Sequence, residues 1–560
     1  MKSYKFILGQ LLVCVFLVLS GTDAKACSTL SRPVPNSIKH ARYNTECFAN
    51  AINRGRKIRI DDTYYVSRAD ALIHKDIVIS GSGKLILTDS EIFTVNAPIS
   101  VNVKGITITT TQPKRYNSQI RFIVSKSKLY HKEVCFERCV IEGVRVYTQI
   151  ADDVDQVRVK DGVKKFAFKG NKVFETGYYL VRLGSCLCEE AVIENNEFRR
   201  MLASLFDFGL DNDYRHLSFS RFKKVIFNNN VVDNEGIPLD KNFDYLYCTP
   251  LLAECDYAEC KNNVFRSIIS VNENPIALYA FYLSGNTVVI EGNLMEDCIN
   301  LGNSTYNAVF KCKSGGDRII TDNSFIVTES CLRKYGKRSD DAFVRLLSFQ
   351  APNYGSVFIA NNKIDVACNF VFGSGVRAEY RDFTFENNSI KYHDLGSTAH
   401  QLLRLNPATK GGNKIVVRNN VMSPGRLPLT SHGLFAYDCS GYTIVVTDNV
   451  LYGYLPYGDN ETEVYSLKSG TSENNIIVLG TKTSLVRVSI NMLNIKDRIV
   501  SNGEYSIKLY NDSDAVTTHF EFDGKAPLKM VSDKDKIYMT RQMFKGKKSI
   551  SVNGQKAFME

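Results

Sequence analysis

The chain has 560 residues, 70 Lys and Arg against 59 Asp and Glu, and a formal net charge of +11. That length excludes a small stapled scaffold and leaves room for a large core or several domains. Its 15 cysteines are too sparse for a disulfide framework, and no basic tract of the kind that binds nucleic acid occurs, so no nucleic-acid partner is expected.

The chain opens MKSYKFILGQLLVCVFLVLSGTDAKACS. Lys2 and Lys5 form a positive n-region, Ile7 to Leu19 an apolar run, and Ala24-Lys25-Ala26 a small-x-small cleavage pattern before Cys27. The run is too short and too early for a mature transmembrane span. It predicts a signal peptide over 1–26. A lipid anchor at Cys27 stays open as a second outcome, although Ala24 stands where such signals usually carry Leu and Lys25 intrudes. Both outcomes place the protein outside the cytoplasm: secreted, periplasmic, or on the outer surface of a Gram-negative bacterium. Cleavage leaves a net charge of about +9. That excess suits an acidic partner such as a uronic-acid polysaccharide or a membrane surface, or simply a solvated exterior.

After cleavage fourteen cysteines remain, an even number in an oxidising compartment. None has C-x-x-C zinc spacing. Cys186 and Cys188 are one strand period apart, and Cys255 and Cys260 flank a predicted turn. Most of the cysteines read as small buried hydrophobes, with one or two disulfides left unassigned.

Residues 27–95 read as an N-terminal cap and first coils. Around Glu46–Arg54 an amphipathic segment sets Phe48, Ala51 and Ile52 on one side, which predicts a short helix. From 96 to 455 the chain repeats itself. Short apolar runs close on an asparagine pair, as in AVIENNEFRR, AECKNNVFRS, VFIANNKIDV, FTFENNSIKY and IVVRNNVMSP. The second member falls at Asn171, Asn196, Asn230, Asn263, Asn293, Asn323, Asn362, Asn388, Asn420 and Asn449, preceded each time by Gly, Asn or Asp. Cys139 and Gly105 fit the same position earlier, giving about twelve turns with a period near thirty residues.

No amphipathic helix separates the runs, so strands stacked one per turn must be parallel. The architecture expected is an all-β parallel β-helix, in which stacked coils share one core that no single coil could bury. Twelve coils at about 4.8 Å each make a rod of roughly 55 Å. Asparagine suits its corner because it tolerates left-handed φ/ψ and because its amide can bond the equivalent amide one coil away. A residue that recurs in every coil is architecture. Beyond residue 456 the asparagine register stops, while strand-like pieces such as NNIIVLG, LVRVSI, YSIKLY and THFEFDG continue between Asn-Gly and Asp-Gly turns. Residues 456–560 are therefore expected to be antiparallel strands, a C-terminal β cap or a small β-domain.

On these motifs the chain resembles the right-handed parallel β-helix proteins of the pectin-lyase-like superfamily. The ten corner asparagines match their signature, TECFANAINRGRKIRIDDTYYVS resembles their capping helix and first strand, and DIVISGSGKLIL resembles their glycine turn. The likeness covers about residues 45–455 and implies the fold, but the superfamily holds many activities.

Three constellations are candidate sites. Lys313, in Lys311-Cys-Lys313-Ser314, and Arg345 resemble the lysine base and following arginine of chondroitinase-B-type and alginate lyases, where a base removes the proton beside a uronate and positive charge holds the enolate. They are 32 residues apart, about one coil, but the His-Gly expected after the arginine is replaced by Leu346-Leu347. Fragments YLVRLGS, FVRLLSF and LLRLNPA also repeat Arg182, Arg345 and Arg404, as a structural position would. Asp340-Asp341 resembles the paired acids of β-helical polygalacturonases, whose other signatures are missing. Asp207, Asp211 and Asp213, with His216, could hold Ca²⁺, without the spacing of a known calcium loop. The eight histidines form no metal spacing. Two functions remain open: binding or cleavage of an extracellular polysaccharide, as a lyase or glycoside hydrolase, and a non-catalytic glycan-binding, adhesive or structural role.

Overall fold

In the computed structural model the chain is a parallel β-helix. The structure describes residues 32–112 continuously and, from 120 to 556, the stacked strands with their corners. The longer segments outside this description are 1–31, 113–119, 150–161, 209–220, 237–250, 271–278, 301–307, 336–344, 393–400, 405–413, 425–431, 434–441, 456–463 and 533–549.

Each coil carries three strands. Tyr130–Glu137, Val140–Glu142 and Arg145–Gln149 make one coil, and Gly162–Lys169, Lys172–Phe174 and Val181–Arg182 the next. Equivalent strands pair in parallel, with Phe136 opposite Phe168, Ile141 opposite Val173 and Tyr147 opposite Val181. Period-2 alternation points one row of each strand into the lumen, which holds a continuous apolar core from Phe48 to Ile477. The main sheet joins 42 strands. Its first strands begin at Ile58–Ile60, so two coils precede the Gly105 corner.

The C-terminal expectation needs correction. Gly470–Val478, Asn494–Val500 and Thr517–Asp523 stack in parallel on the coil of Asn449, extending the rod by three coils. A second set, from Val464–Tyr465 to Ile550–Val552, is also parallel. The antiparallel pairing recorded is Ile550–Val552 with Gln555–Lys556 across Asn553-Gly554. That pair is the Asn-Gly dipeptide on which the expectation of a hairpin rested. Elsewhere alternation is the same for parallel and antiparallel strands, so turn residues alone misled.

At the corners the structure divides two jobs that the sequence reading gave to one asparagine. The residue before the ladder takes the left-handed backbone: φ is +58° at Asn195, +55° at Asn262, +59° at Asp322 and +55° at Asn387. The following asparagine turns inward and is buried. Asn196 Nδ2 donates to Asn230 Oδ1 at 2.9 Å and to the Phe168 carbonyl at 2.8 Å, while its backbone N–H donates to the same Asn230 Oδ1 at 3.0 Å. The pattern repeats from Asn171 through Asn449 and continues past the expected end to Asn475. Asn475 then donates from N–H and Nδ2 to Asp497 Oδ1, at 3.0 and 2.8 Å. A carboxylate accepts without donating, so Asp497 closes the ladder.

The open N-terminal edge is covered by a helix, Ala41–Asn53, with Phe48 and Ile52 buried on the first coil and Ala51 packed at the margin. Its polar side chains stand in for a missing strand. Asn44 Nδ2 donates to the carbonyls of Val34 and Tyr65, Thr45 Oγ1 donates to Ser67 O and accepts from Ser67 N, and Asn53 bonds Leu72 O and His74 N. Exposed edge groups that would template another strand are thereby satisfied.

Candidate functional site

The outer surface of the first strands carries three parallel columns. One contains Lys104, Glu137, Lys169, Glu194, Lys261 and Glu291. Ion pairs link neighbouring coils at Lys104–Glu137 (3.0 Å), Lys169–Glu194 (3.4 Å) and Lys261–Glu291 (3.1 Å). Further along, Glu386 pairs with Arg418 at 2.5 Å. Four residues earlier in each strand a second column runs Glu133, Lys165, Glu190, Lys224, and later Asp382 and Lys414. Between them runs an apolar column through Val192, Ile226, Val289, Ile319, Phe358 and Val416, with Ile319 37% and Phe358 36% exposed. Glu259 and Thr384 interrupt that column, the Glu259 carboxylate held by Asn228 Nδ2 at 2.7 Å and Tyr257 OH at 2.8 Å. The first three of these ion pairs lie on the exposed surface and contribute little stability each, about 0–1 kcal/mol, whereas Glu386 is buried at 8% exposure.

The third strands are less balanced. Arg182 is exposed, with its guanidinium 5.8 Å from the Tyr179 ring. Following the register coil by coil, its position is held by Asp207, Leu252, Tyr282, Lys311, Ser348, Gly373 and Arg404. Arg182 and Arg404 are thus equivalent, as the repeated fragments suggest. Arg345 is not, because it lies three strand positions before Ser348, opposite Ala308.

That register also bears on the lysine–arginine pair. Lys313 lies outside the described residues, but Cys312 before it stands opposite Phe349. The level of Arg345 is therefore four strand positions away from that of Cys312, about 13 Å at 3.3 Å per residue. One-coil spacing by itself does not bring the two together. Asp340, Asp341, Asp211, Asp213, His216, His393 and His400 lie outside the described residues, and Asp207 sits in the strand Phe206–Phe208. Among the described residues no group of three or more His, Cys, Asp or Glu could hold a metal ion, and no helix is long and apolar enough to cross a membrane.

Polar groups inside the lumen were harder to foresee. His131 Nε2 lies 2.7 Å from Ser125 Oγ, and its Nδ1 3.1 Å from the Ile99 carbonyl. This resembles an activated hydroxyl, yet both residues are 0% exposed, so no substrate reaches them. Burial pushes the His131 pKa down from its ordinary 6.5 to about 4. The folded state therefore favours the neutral ring. Its contribution is complete above pH 6.5 and is lost as pH falls from 6.5 toward 4, about 1.4 kcal/mol per unit and on the order of 3 kcal/mol in all. His131→Gln is expected to show a flatter fall in melting temperature than the wild type across that window.

Arg318 is 0% exposed and occupies a lumen position held by Val288 and Val357 in the adjacent coils. Its guanidinium donates to the carbonyls of Asp317 at 2.8 Å and Gly315 at 3.2 Å. Counting five residues back from Asn323, as Phe383 lies from Asn388, would have found this arginine at an inward position. Cys139, Cys188, Cys255 and Cys260 also pack in the lumen, the last two within the single strand Leu251–Lys261. Burial pushes the Cys139 thiol up to about 11 and that of Cys260 up further, which suppresses the reactive thiolate. Cys186 lies outside the described residues.

No family model matches this chain, and neither the curated proteins nor the solved structures contain a match.

Proposed function

We propose that this is an exported β-helix protein that binds an extended acidic polysaccharide along its third-strand sheet. One observation carries the reading. The position of exposed Arg182 is held in later coils by Asp207, Leu252, Tyr282, Lys311, Ser348, Gly373 and Arg404, three cations to one acid, whereas charges on the first-strand sheet neutralise one another coil by coil. Parallel strands repeat every 4.7–4.9 Å, so this register sets Arg182, Tyr282, Lys311 and Arg404 at equivalent strand positions along the line of the rod, a spacing that an extended polymer can follow. Aromatic faces pack against the C–H faces of sugars, and cations recruit carboxylates.

Titration with uronic-acid and neutral polysaccharides tests it. Binding is expected for the acidic polymers, weakening with salt. The triple variant Arg182→Ala/Lys311→Ala/Arg404→Ala should bind at least about ten-fold more weakly, the loss expected when three charge contacts go. Equal affinity of wild type and variant would sink the proposal. The same incubations separate binding from cleavage. A lyase creates unsaturated products with a new ultraviolet absorbance that Lys313→Ala abolishes. A hydrolase releases reducing ends and depends on carboxylates such as Asp340 and Asp341.

A further inference from the structure

The first-strand face has the anatomy of an interface, an apolar centre between two polar margins. Its charges follow a rule that the single chain does not explain. Where both margin positions of a coil are charged, they carry the same sign. Glu133 and Glu137 flank one coil, Lys165 and Lys169 the next, and Glu190 and Glu194 the one after. Further on, Asp382 and Glu386 flank one coil, and Lys414 and Arg418 the next. At these two positions each such coil is a band of one sign, although Arg381 beside Asp382 pairs with Asp382 and Asp317 within the chain.

We propose that two copies of this chain pack face to face through this sheet, antiparallel, with the two-fold axis between the coils of Lys261 and Glu291. That placement sets every charged band against its opposite or against a neutral coil. The Glu133/Glu137 coil meets the copy's Lys414/Arg418 coil, and the Lys165/Lys169 coil meets Asp382/Glu386. The Lys224 coil meets Asp317, and the Lys261 coil meets Glu291. The Glu190/Glu194 coil meets the coil of Ser356 and Ala360, which carries no charge in either margin. In the centre Val192 faces Phe358, and Ile226 faces Ile319, the two most exposed members of the column; next to the axis Glu259, its carboxylate held by Asn228 and Tyr257 of its own chain, faces Val289. A two-fold contact is isologous, so one self-complementary patch suffices.

The size fits as well. Ten coils from Glu133 to Lys414 span about 43 Å, and three columns with their side chains about 20 Å. The resulting ~850 Å² per copy matches the roughly 800 Å² per partner of a standard stable interface. A sugar chain has no use for a run of aliphatic side chains between bands of alternating sign, and the third-strand sheet stays open in this dimer.

Sedimentation velocity across about 1–100 μM, a range that brackets ordinary homodimers, tests the proposal on the full chain. The wild type is expected to dimerise, and Phe358→Lys to be monomeric with an unchanged circular dichroism spectrum. Lys414→Glu/Arg418→Glu sets acids against the copy's Glu133 and Glu137, and should weaken the dimer at least about ten-fold. Adding Glu133→Lys/Glu137→Lys to that variant should restore it. A monomeric wild type, a dimer indifferent to Phe358→Lys, or a charge reversal that the second pair does not rescue would each overturn the proposal. If Phe358→Lys does not fold, Ile319→Lys serves in its place.

Discussion

Asn293→Ala is expected to lower the unfolding free energy by about 3–5 kcal/mol, because it orphans buried groups rather than merely removing a contact. Asn293 Oδ1 accepts from the backbone N–H and the Nδ2 of Asn263, both at 2.9 Å. Its Nδ2 donates to the Cys260 carbonyl and to Asn323 Oδ1, also at 2.9 Å each. All these groups lie inside the rod, where no water replaces the lost partner. Asn293→Asp should be at least as costly at neutral pH, since a carboxylate there would face two acceptors without a proton to offer. At the end of the ladder the order changes. Asp497→Asn keeps both bonds from Asn475 but replaces the carboxylate oxygen to which Ser472 Oγ donates at 2.5 Å, and should cost about 1–2 kcal/mol, less than the loss at Asn293. Urea unfolding followed by circular dichroism ranks the three variants. Equal losses at Asn293 and Asp497 would contradict a ladder with a direction.

Phe206→Ala should cost a similar amount, about 3–5 kcal/mol, by a different route. Phe206 is fully buried, with ring centroids 5.4 Å from Phe168, 5.8 Å from Phe198, 6.2 Å from Phe166 and 6.4 Å from Phe227. Those rings belong to three successive coils, so removing the central one opens a cavity that no single coil can close by shifting. Phe206→Leu refills most of the volume and should recover more than half of the loss. The midpoint of urea unfolding should move while its slope does not. A loss below about 1 kcal/mol would mean that the lumen collapses around the gap.

Legibility tracked repetition. The pair Asn387-Asn388 could be read as a corner because nine other coils repeat its ladder position. The cap was legible for the opposite reason, as the last amphipathic helix before strands begin. Asn474-Asn475 was passed over although its 26-residue step from Asn449 equals that from Asn362 to Asn388, because no further asparagine pair follows it and a bulge shifts its register. Asp497 carries no corner signature at all, because the last rung needs only an acceptor. On the surface, single residues such as Lys165 and Glu190 read as ordinary solvated charge. Their bands exist only once the register lays one coil against the next.

Composition, the asparagine period and alternation determined the parallel rod, its lumen and its N-terminal cap, because those features are local and recur with every coil. The tertiary structure alone decided which residues on different coils share a column. Register depends on coil lengths, which set paired residues from 21 (Ile58 and Ile79) to 45 (Asp207 and Leu252) positions apart in the chain and which local pattern does not encode. That is why Arg404 lines up with Arg182 while Arg345, in a similar fragment, does not.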